Sequence, residues 1–275
     1  MQKYSTPCIK PGDFARLCGT NKRTLIHYEA IGLFLPAYID ERGYRFYSES
    51  QCDVFSIILA LKEIGMPLNQ IKHYLDERHP DALAELLKTQ HQIIKAEIEN
   101  LKRIDLMIQT KLSLVEKAKQ ITINTVTTEF CEDEYLILSP PINSNDHTKV
   151  INTLYHHISF CNTNNLNVGH PYGAMISYEE LYQNHFDTYA YFFTKVITPP
   201  DAIPHYIKKG GYYITTYLKG DYYNCLSAYN LLLDYAKTHQ LTLSGYSYKE
   251  AIIDEVAEKS LDEYITKISI PFTPL

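Results

Sequence analysis

With 275 residues, 45 % of them hydrophobic, and a formal charge of −6, the chain is long enough for two domains, each with its own core, and a connector. No apolar run approaches the roughly 20 residues that a bilayer-crossing helix needs, and Met1 to Pro7 lacks the apolar centre of a signal peptide, so no membrane association and a cytoplasmic address are expected. The six cysteines, at 8, 18, 52, 131, 161 and 225, contain no C-x-x-C pair, which speaks against a disulfide framework or zinc ribbon; neither metal nor cofactor is expected.

Taken in order, residues 1–7 are expected to be a weakly paired lead. Phe14, Ala15 and Leu17 supply the apolar face of one short helix. Thr20 or Asn21 caps a second, which carries Lys22 and Arg23 in its first turn and buries Leu25 and Tyr28. Joined by Cys18-Gly19-Thr20, the two have the form of a helix-turn-helix, whose second helix enters the major groove of DNA. Glu41-Arg42-Gly43 followed by Tyr44-Arg45-Phe46-Tyr47 predicts a β-wing beside it. Ser48 stands where it can cap a helix from Glu49 to about Ile64, and after Gly65-Met66-Pro67 a further short helix runs from Leu68 to Leu75.

The charge is unevenly divided. Residues 1–48 hold seven Lys or Arg (3, 10, 16, 22, 23, 42, 45) against four acids (13, 29, 40, 41), a local +3, whereas residues 121–275 hold nine Lys and seventeen acids, −8. DNA responds to the local field, so the basic end is where a duplex would be held. Between the two, a helix without Gly or Pro is predicted from Asp81 to about Lys119. Its apolar positions Leu83, Leu87, Ile94, Ile98, Leu101, Ile104, Ile108, Leu112 and Val115 recur in steps of three or four. So long and narrow a stripe asks for a partner helix, although packing on the chain's own C-terminal part would also satisfy it.

From about Ile121 the texture turns to β-branched and aromatic residues. Tyr135 to Leu138 reads as a strand, Asp146 to Phe160 as an amphipathic helix through Val150, Leu154, Tyr155 and Ile158, and Tyr172 to Tyr178 and Tyr189 to Val196 as two strands. The order then repeats: strand Tyr212 to Leu218, helix Tyr222 to Thr238, strands Ser247 to Ile253 and Glu263 to Ile270. A strand, a helix and two strands, twice over, predict a pseudo-symmetric α+β domain. Eighteen of the 24 tyrosines lie after residue 120; such rings suit flat, poorly hydrated molecules and cations.

The ordered set from Phe14 to Gly65, with Ile31-Gly32-Leu33 and Leu61-Lys62-Glu63-Ile64-Gly65 between and after the elements above, closely resembles the DNA-binding domain of the MerR family of bacterial transcription regulators, over roughly residues 8–76. The resemblance implies the division 1–80 winged helix-turn-helix, 81–120 coiled-coil dimerisation helix, and 121–275 ligand-binding domain, an α+β chain working as a homodimer. Its DNA contacts would be Lys22, Arg23, Thr24, His27 and Tyr28 on the second helix and Arg42, Tyr44, Arg45 and Tyr47 on the wing. It implies double-stranded promoter DNA and RNA polymerase as partners, with the DNA distorted to bring misaligned promoter elements into register. One departure is Ile26, where the family usually has Arg, so that one phosphate contact is missing.

In the second half, Pro171-Tyr172-Gly173-Ala174, Thr188-Tyr189-Ala190, Lys209-Gly210-Gly211-Tyr212, Tyr248-Lys249-Glu250 and Asp262-Glu263-Tyr264 resemble the GyrI-like ligand domain of the multidrug-responsive branch. That resemblance puts Tyr172, Tyr189, Tyr212, Tyr217 and Tyr264 around a pocket for a small aromatic or lipophilic ligand, with Tyr248, Lys249 and Glu250 beside them and Asp262 near its mouth. Lys249 falls where the family has a buried Glu. Side chains alternate across a strand, so Lys249 and Glu250 cannot both face inward without a bulge. Three arrangements are open: Lys249 inward, Glu250 inward through a bulge, or Lys249 at the rim. Two other functions stay in view: a ligand-independent DNA-binding repressor, and a hydrolase using Glu250 or Asp262 with Tyr248 or Tyr264. Lys249 in place of the carboxylate, and the want of a nucleophile–His pair, make an enzyme the lesser expectation.

Overall fold

The computed structural model describes residues 9–142, 146–222 and 224–273; the lead expected at 1–7, Cys8 and Tyr223 lie outside them. The chain divides into two compact units, Met1–Glu99 and Asn100–Leu275.

The first unit contains α1 (Pro11–Leu17), α2 (Lys22–Ala30), β1 (Tyr38–Ile39), β2 (Arg45–Phe46), α3 (Gln51–Glu63), α4 (Leu68–Asp76) and the start of α5 (Pro80–Ala118). Its core is aromatic. Phe14 stacks on Tyr47 with centroids 4.6 Å apart, Phe34 lies parallel to Tyr47 at 5.7 Å, and Phe55 meets Phe34 edge-on at 5.1 Å. Such pairs add to the hydrophobic gain from burial. Asn21 caps α2 by accepting from the Thr24 amide at 2.9 Å. Ser48, by contrast, caps nothing: α3 begins at Gln51, whose side-chain oxygen accepts from the Ser48 amide. Gln90, a polar break in the stripe of α5, is buried because its amide donates to the Ile64 carbonyl at the end of α3, at 2.7 Å.

The second unit is built on one antiparallel nine-stranded sheet. Its strands are β3 (Thr127–Cys131), β4 (Glu134–Leu138), β5 (Gly173–Ser177), β6 (Tyr191–Val196), β7 (Tyr206–Lys208), β8 (Gly211–Lys219), β9 (Thr242–Leu243), β10 (Tyr246–Ile253) and β11 (Ile265–Thr273); α6 (His147–Thr163), α7 (Tyr178–Tyr182) and α8 (Leu226–Thr238) connect them. The main path runs β3-β8-β11-β10-β5-β6-β4-β7. It is symmetric about the β5–β10 pair, and β4-α6-β5-β6 matches β8-α8-β10-β11, the repeat read from the sequence. Three strands were not expected. The short β9 pairs with β11, and the other two are exchanged: β3, which precedes β4, pairs with β8, and β7, which precedes β8, pairs with β4. The second helix also starts later than predicted, at Leu226 rather than Tyr222.

Period two gives the sheet two different faces. Ala174, Ile176, Phe192, Ile214, Ile268 and Ile270 pack with Ala228, Tyr229 and Leu232 of α8 and with Val150 and Leu154 of α6. The opposite face holds Leu136, Met175, Phe193, Tyr213 and Tyr248, together with a group of buried charges described below. Gly173 is required where β5 crosses this second face, because a Cβ there would lie inside the Phe193 ring.

Candidate functional site

On the first unit, α2 buries Leu25 and Tyr28 and turns Lys22, Arg23, Ile26 and His27 outward. Two cations in the first turn oppose the helix dipole, an unfavourable placement that an anion at this N-terminus would reverse. Ile26 is 58 % exposed on the same face, so the missing Arg leaves an apolar spot between cations. The wing is shaped by Asp40, whose Oδ1 accepts from the Arg42 and Tyr44 amides at 3.0 and 2.7 Å, and Gly43 takes φ +81° at its tip. Arg42 and Tyr44 project outward. Arg45 Nε donates to Glu29 Oε2 at 2.6 Å, joining wing to α2 and holding the Arg45 pKa up through that bond.

Three of the expected contacts sit otherwise than anticipated. Tyr28 and Tyr47 are each 1 % exposed, and their rings are part of the core. The Thr24 hydroxyl donates to Asn21 Oδ1 at 3.3 Å and thus belongs to the cap. Sequence could not separate these from groove contacts, because an aromatic or hydroxyl side chain serves either purpose.

The second unit encloses a cavity of about 1200 Å³, enough for a drug-sized molecule. Val150, Ile151, Leu154, Tyr155 and Ile158 of α6 form one wall. Tyr172, Tyr189, Tyr222 and Tyr264 contribute rings, and Phe192, Ile253 and Thr266 come from the sheet. Met107 and Lys111 of α5 close another side. There Gly169, at φ +95°, lets its loop approach the Met107 carbonyl, where any Cβ would clash with the helix backbone. Lys111 Nζ is tied to Asp254 Oδ2 at 3.1 Å. Asp187, Asp221 and Glu255, all exposed, add negative charge to the lining.

Of the nine expected ligand residues, Tyr172, Tyr189 and Tyr264 line this cavity. Tyr212 is half exposed, packed on Phe130 and Phe272 outside it. Tyr217 is buried next to Lys267, across the β8–β11 pairing. Tyr248 lies on the opposite sheet face, its hydroxyl 3.4 Å from that of Tyr206. Asp262 is exposed in a 3-10 turn, its amide bonded to Ser260 Oγ, and its neighbour Leu261 reaches the cavity instead. Sequence reasoning missed the α5 residues and Tyr222. Val150 and Leu154 were legible as an inward stripe, but a stripe looks the same whether it meets a sheet or a void.

Lys249 and Glu250 are both buried, on opposite faces. The bulge in β10 falls later, between Ala251 and Ile253. Lys249 faces the helices: Nζ donates to the Tyr189 hydroxyl at 2.8 Å and the Tyr222 carbonyl at 3.0 Å, and lies 3.9 Å from the Tyr222 ring centroid. Burial pulls its pKa down to about 8, against the opposing influence of Cys225, Asp221 and Asp187. Glu250 faces the other side, where Lys195 Nζ sits 3.0 Å from its Oε1 and 2.7 Å from Glu134 Oε1, and Lys208 Nζ is 2.7 Å from Glu134 Oε2. Burial alone would raise the Glu250 carboxyl; Lys195, Lys208 and Lys267 outweigh it and hold it at about 2. Of the residues a hydrolase reading would use, Glu250 or Asp262 with Tyr248 or Tyr264, Tyr264 lines the cavity, whereas Tyr248, Glu250 and Asp262 do not. Among the described residues no cluster of three or more His, Cys, Asp or Glu could hold a metal ion, and no helix is long and apolar enough to cross a membrane.

Comparison with known proteins bears on both units. The family profile described as MerR HTH family regulatory protein matches residues 9–78. The chain is 29 % identical over 268 residues to the multidrug-efflux transporter 2 regulator of Bacillus subtilis (strain 168), covering 98 % of this chain and 96 % of that protein. It is 27 % identical over 272 residues to the multidrug-efflux transporter 1 regulator of the same organism, covering 94 % and 96 %. To the mercuric resistance operon regulatory protein of Bacillus cereus it is 34 % identical over 102 residues, 35 % of this chain and 77 % of that protein.

Proposed function

This chain belongs to the MerR family of helix-turn-helix regulatory proteins, and on that premise we propose that it is a homodimeric transcription regulator switched by a hydrophobic or aromatic small molecule. The observation that carries the reading is the large ring-lined cavity in the same chain as a basic, outward-facing α2 and wing. Lys22, Arg23 and His27 meet the groove, and Arg42, Tyr44 and Arg45 grip the phosphates, the first group reading and the second positioning. The promoter duplex, with RNA polymerase bound to it, is the macromolecular partner.

The second copy is proposed from α5. Leu87, Ile94, Ile98, Leu101, Ile104, Ile108, Leu112 and Val115 are all at least one-third exposed in the single chain, with Leu101 at 54 % and Ile108 at 61 %. A row of that length stays out of water only against another helix. Met107 and Lys111 lie on this same helix and line the cavity, and the helix continues without a break through Glu99 to Pro80. A ligand touching them acts on the helix proposed to hold the dimer. To act as a switch it must bind the two states of the dimer with different affinity.

Fluorescence anisotropy of a promoter duplex titrated with the protein, and sedimentation of the protein alone, test the reading together. A dimer that prefers a palindromic duplex and shifts its melting temperature with aromatic ligands is expected. A monomer indifferent to duplex, or a protein whose melting no aromatic compound moves, would overturn the corresponding half.

A further inference from the structure

Three successive turns of α5 are fastened to loops that line the cavity. Arg103 Nη1 donates to the Asn167 carbonyl at 3.4 Å, the Met107 carbonyl lies where a Cβ on Gly169 would be only 2.6 Å away, and Lys111 Nζ meets Asp254 Oδ2 at 3.1 Å. Positions four apart share one side of a helix, while Leu101, Ile104, Ile108 and Leu112 of the same turns are exposed. Of the three attachments the last is an ion pair. It is also reachable from within: both partners line the cavity, and their side chains are 38 % and 16 % exposed.

The charge around this pair is lopsided. Among the described residues the lining carries four carboxylates, on Asp187, Asp221, Asp254 and Glu255, against one lysine and no arginine. Asp254 has a single oxygen to give. Its Oδ1 accepts from the Val256 amide at 3.1 Å, which fixes the carboxylate, and Oδ2 is the atom that Lys111 holds. Glu134, by contrast, takes a lysine on each oxygen. A second ammonium brought to Asp254 Oδ2 would therefore stand against Lys111, like charge to like. We propose that Lys111 is a built-in cation occupying the place of a ligand's own: a ligand with a positively charged group takes Asp254, Lys111 is set free, and α5 loses its charged attachment to the cavity wall. The proposal rests on the cavity being a ligand site and adds how its occupancy is passed to α5. Because the pair is partly solvated, displacing it weakens such a ligand only about two- to fivefold, and a neutral ligand leaves it closed.

Two probes with one ring system test this on the full chain, 2-naphthylmethylammonium and the neutral 2-naphthylmethanol. In protein labelled with ε-13C-lysine, the Lys111 side-chain resonance, identified by its loss in Lys111→Arg, reports the pair, and Asp254→Asn gives its position when free. At saturation the ammonium is expected to move the resonance to that free position and the alcohol to leave it in place. By titration calorimetry Lys111→Met should bind the ammonium about two- to fivefold more tightly than the wild type does, the internal competitor being gone. The alcohol should stay within about twofold, since its ring contacts are untouched. A lysine that merely braces the wall would change the affinity for both probes alike and keep its resonance where it is. If the ammonium binds and the Lys111 resonance stays, or the alcohol moves it as far, the proposal fails while the cavity stands as a ligand site. Should neither probe bind, the cavity reading falls with it. The wild-type titration decides even if Lys111→Met and Asp254→Asn do not fold, because Lys111→Arg keeps the charge and serves only for assignment.

Discussion

The lysine between a buried carboxylate, Glu250, and a partly buried one, Glu134, offers the sharpest test of how the sheet is held. In Lys195→Met the ammonium 2.7 Å from Glu134 and 3.0 Å from Glu250 is lost. Lys208 remains on Glu134, but Glu250, with a side chain 9 % exposed, keeps only longer-range help. Deleting one partner of a buried pair costs about 3–5 kcal/mol. Because the Glu134 side chain is 28 % exposed, solvent screens part of this, and the lower end, about 3 kcal/mol, is expected. For a unit of this size that lowers the melting temperature by about 6–12 °C. The chain has no Trp, so urea unfolding is best followed by circular dichroism and tyrosine fluorescence. The pH dependence supplies a second check. In the wild type Glu250 is held at about 2 against the ordinary 4.5. Its contribution is therefore complete above about pH 4.5 and is lost as pH falls toward 2. In the variant that contribution is already gone, so the two stabilities should converge as the pH drops through this window. Adding Glu250→Gln to Lys195→Met should restore much of the loss at neutral pH. A single variant less than about 1 kcal/mol below wild type at pH 7, or a deficit that does not narrow in acid, would refute the reasoning.

Arg45→Ala should weaken duplex binding and reduce the slope of log affinity against log salt by about 0.9, the release of one phosphate contact; an unchanged slope would mean that Arg45 serves only to join the wing to Glu29. Ile26→Arg should act oppositely, steepening the slope by about 0.9 through a new contact on the exposed face of α2, as measured by the same anisotropy titration. Leu101→Lys with Ile108→Lys should turn the sedimenting dimer into a monomer and cost duplex affinity tenfold or more, since two half-sites no longer bind as one unit; a variant that stays dimeric would place the partner surface elsewhere.

The DNA-binding unit was largely legible because punctuation fixes it: Gly19, Asn21 and Gly43 each stand where a turn, a cap and a wing tip need them. Two of its three misplaced residues, Tyr28 and Tyr47, carry no such mark, because rings in an aromatic core and rings on a groove-facing surface share a composition. In the second unit the repeat was visible through its helices, whereas β3 and β7 were not. One is an edge strand with little alternation, the other only three residues long. Alternation alone put Lys249 and Glu250 on opposite faces, but the face that each occupies depends on which one α6 and α8 cover. That is a property of topology, and no local pattern encodes it. Lys195 was invisible as the partner of Glu250, and Lys208 as that of Glu134, for the same reason, since each pair joins strands far apart in the chain.

The exchange of β3 and β7 has a consequence for taking this unit apart. Severed in the link after β6, neither portion would possess all of its own sheet: the leading portion would lack an outer neighbour for β4, and the trailing one would lack the neighbour of β8. Either fragment expressed alone should seek the missing strand from another molecule and accumulate as swapped pairs or larger chains, and only mixing the two should give back a soluble one-to-one assembly.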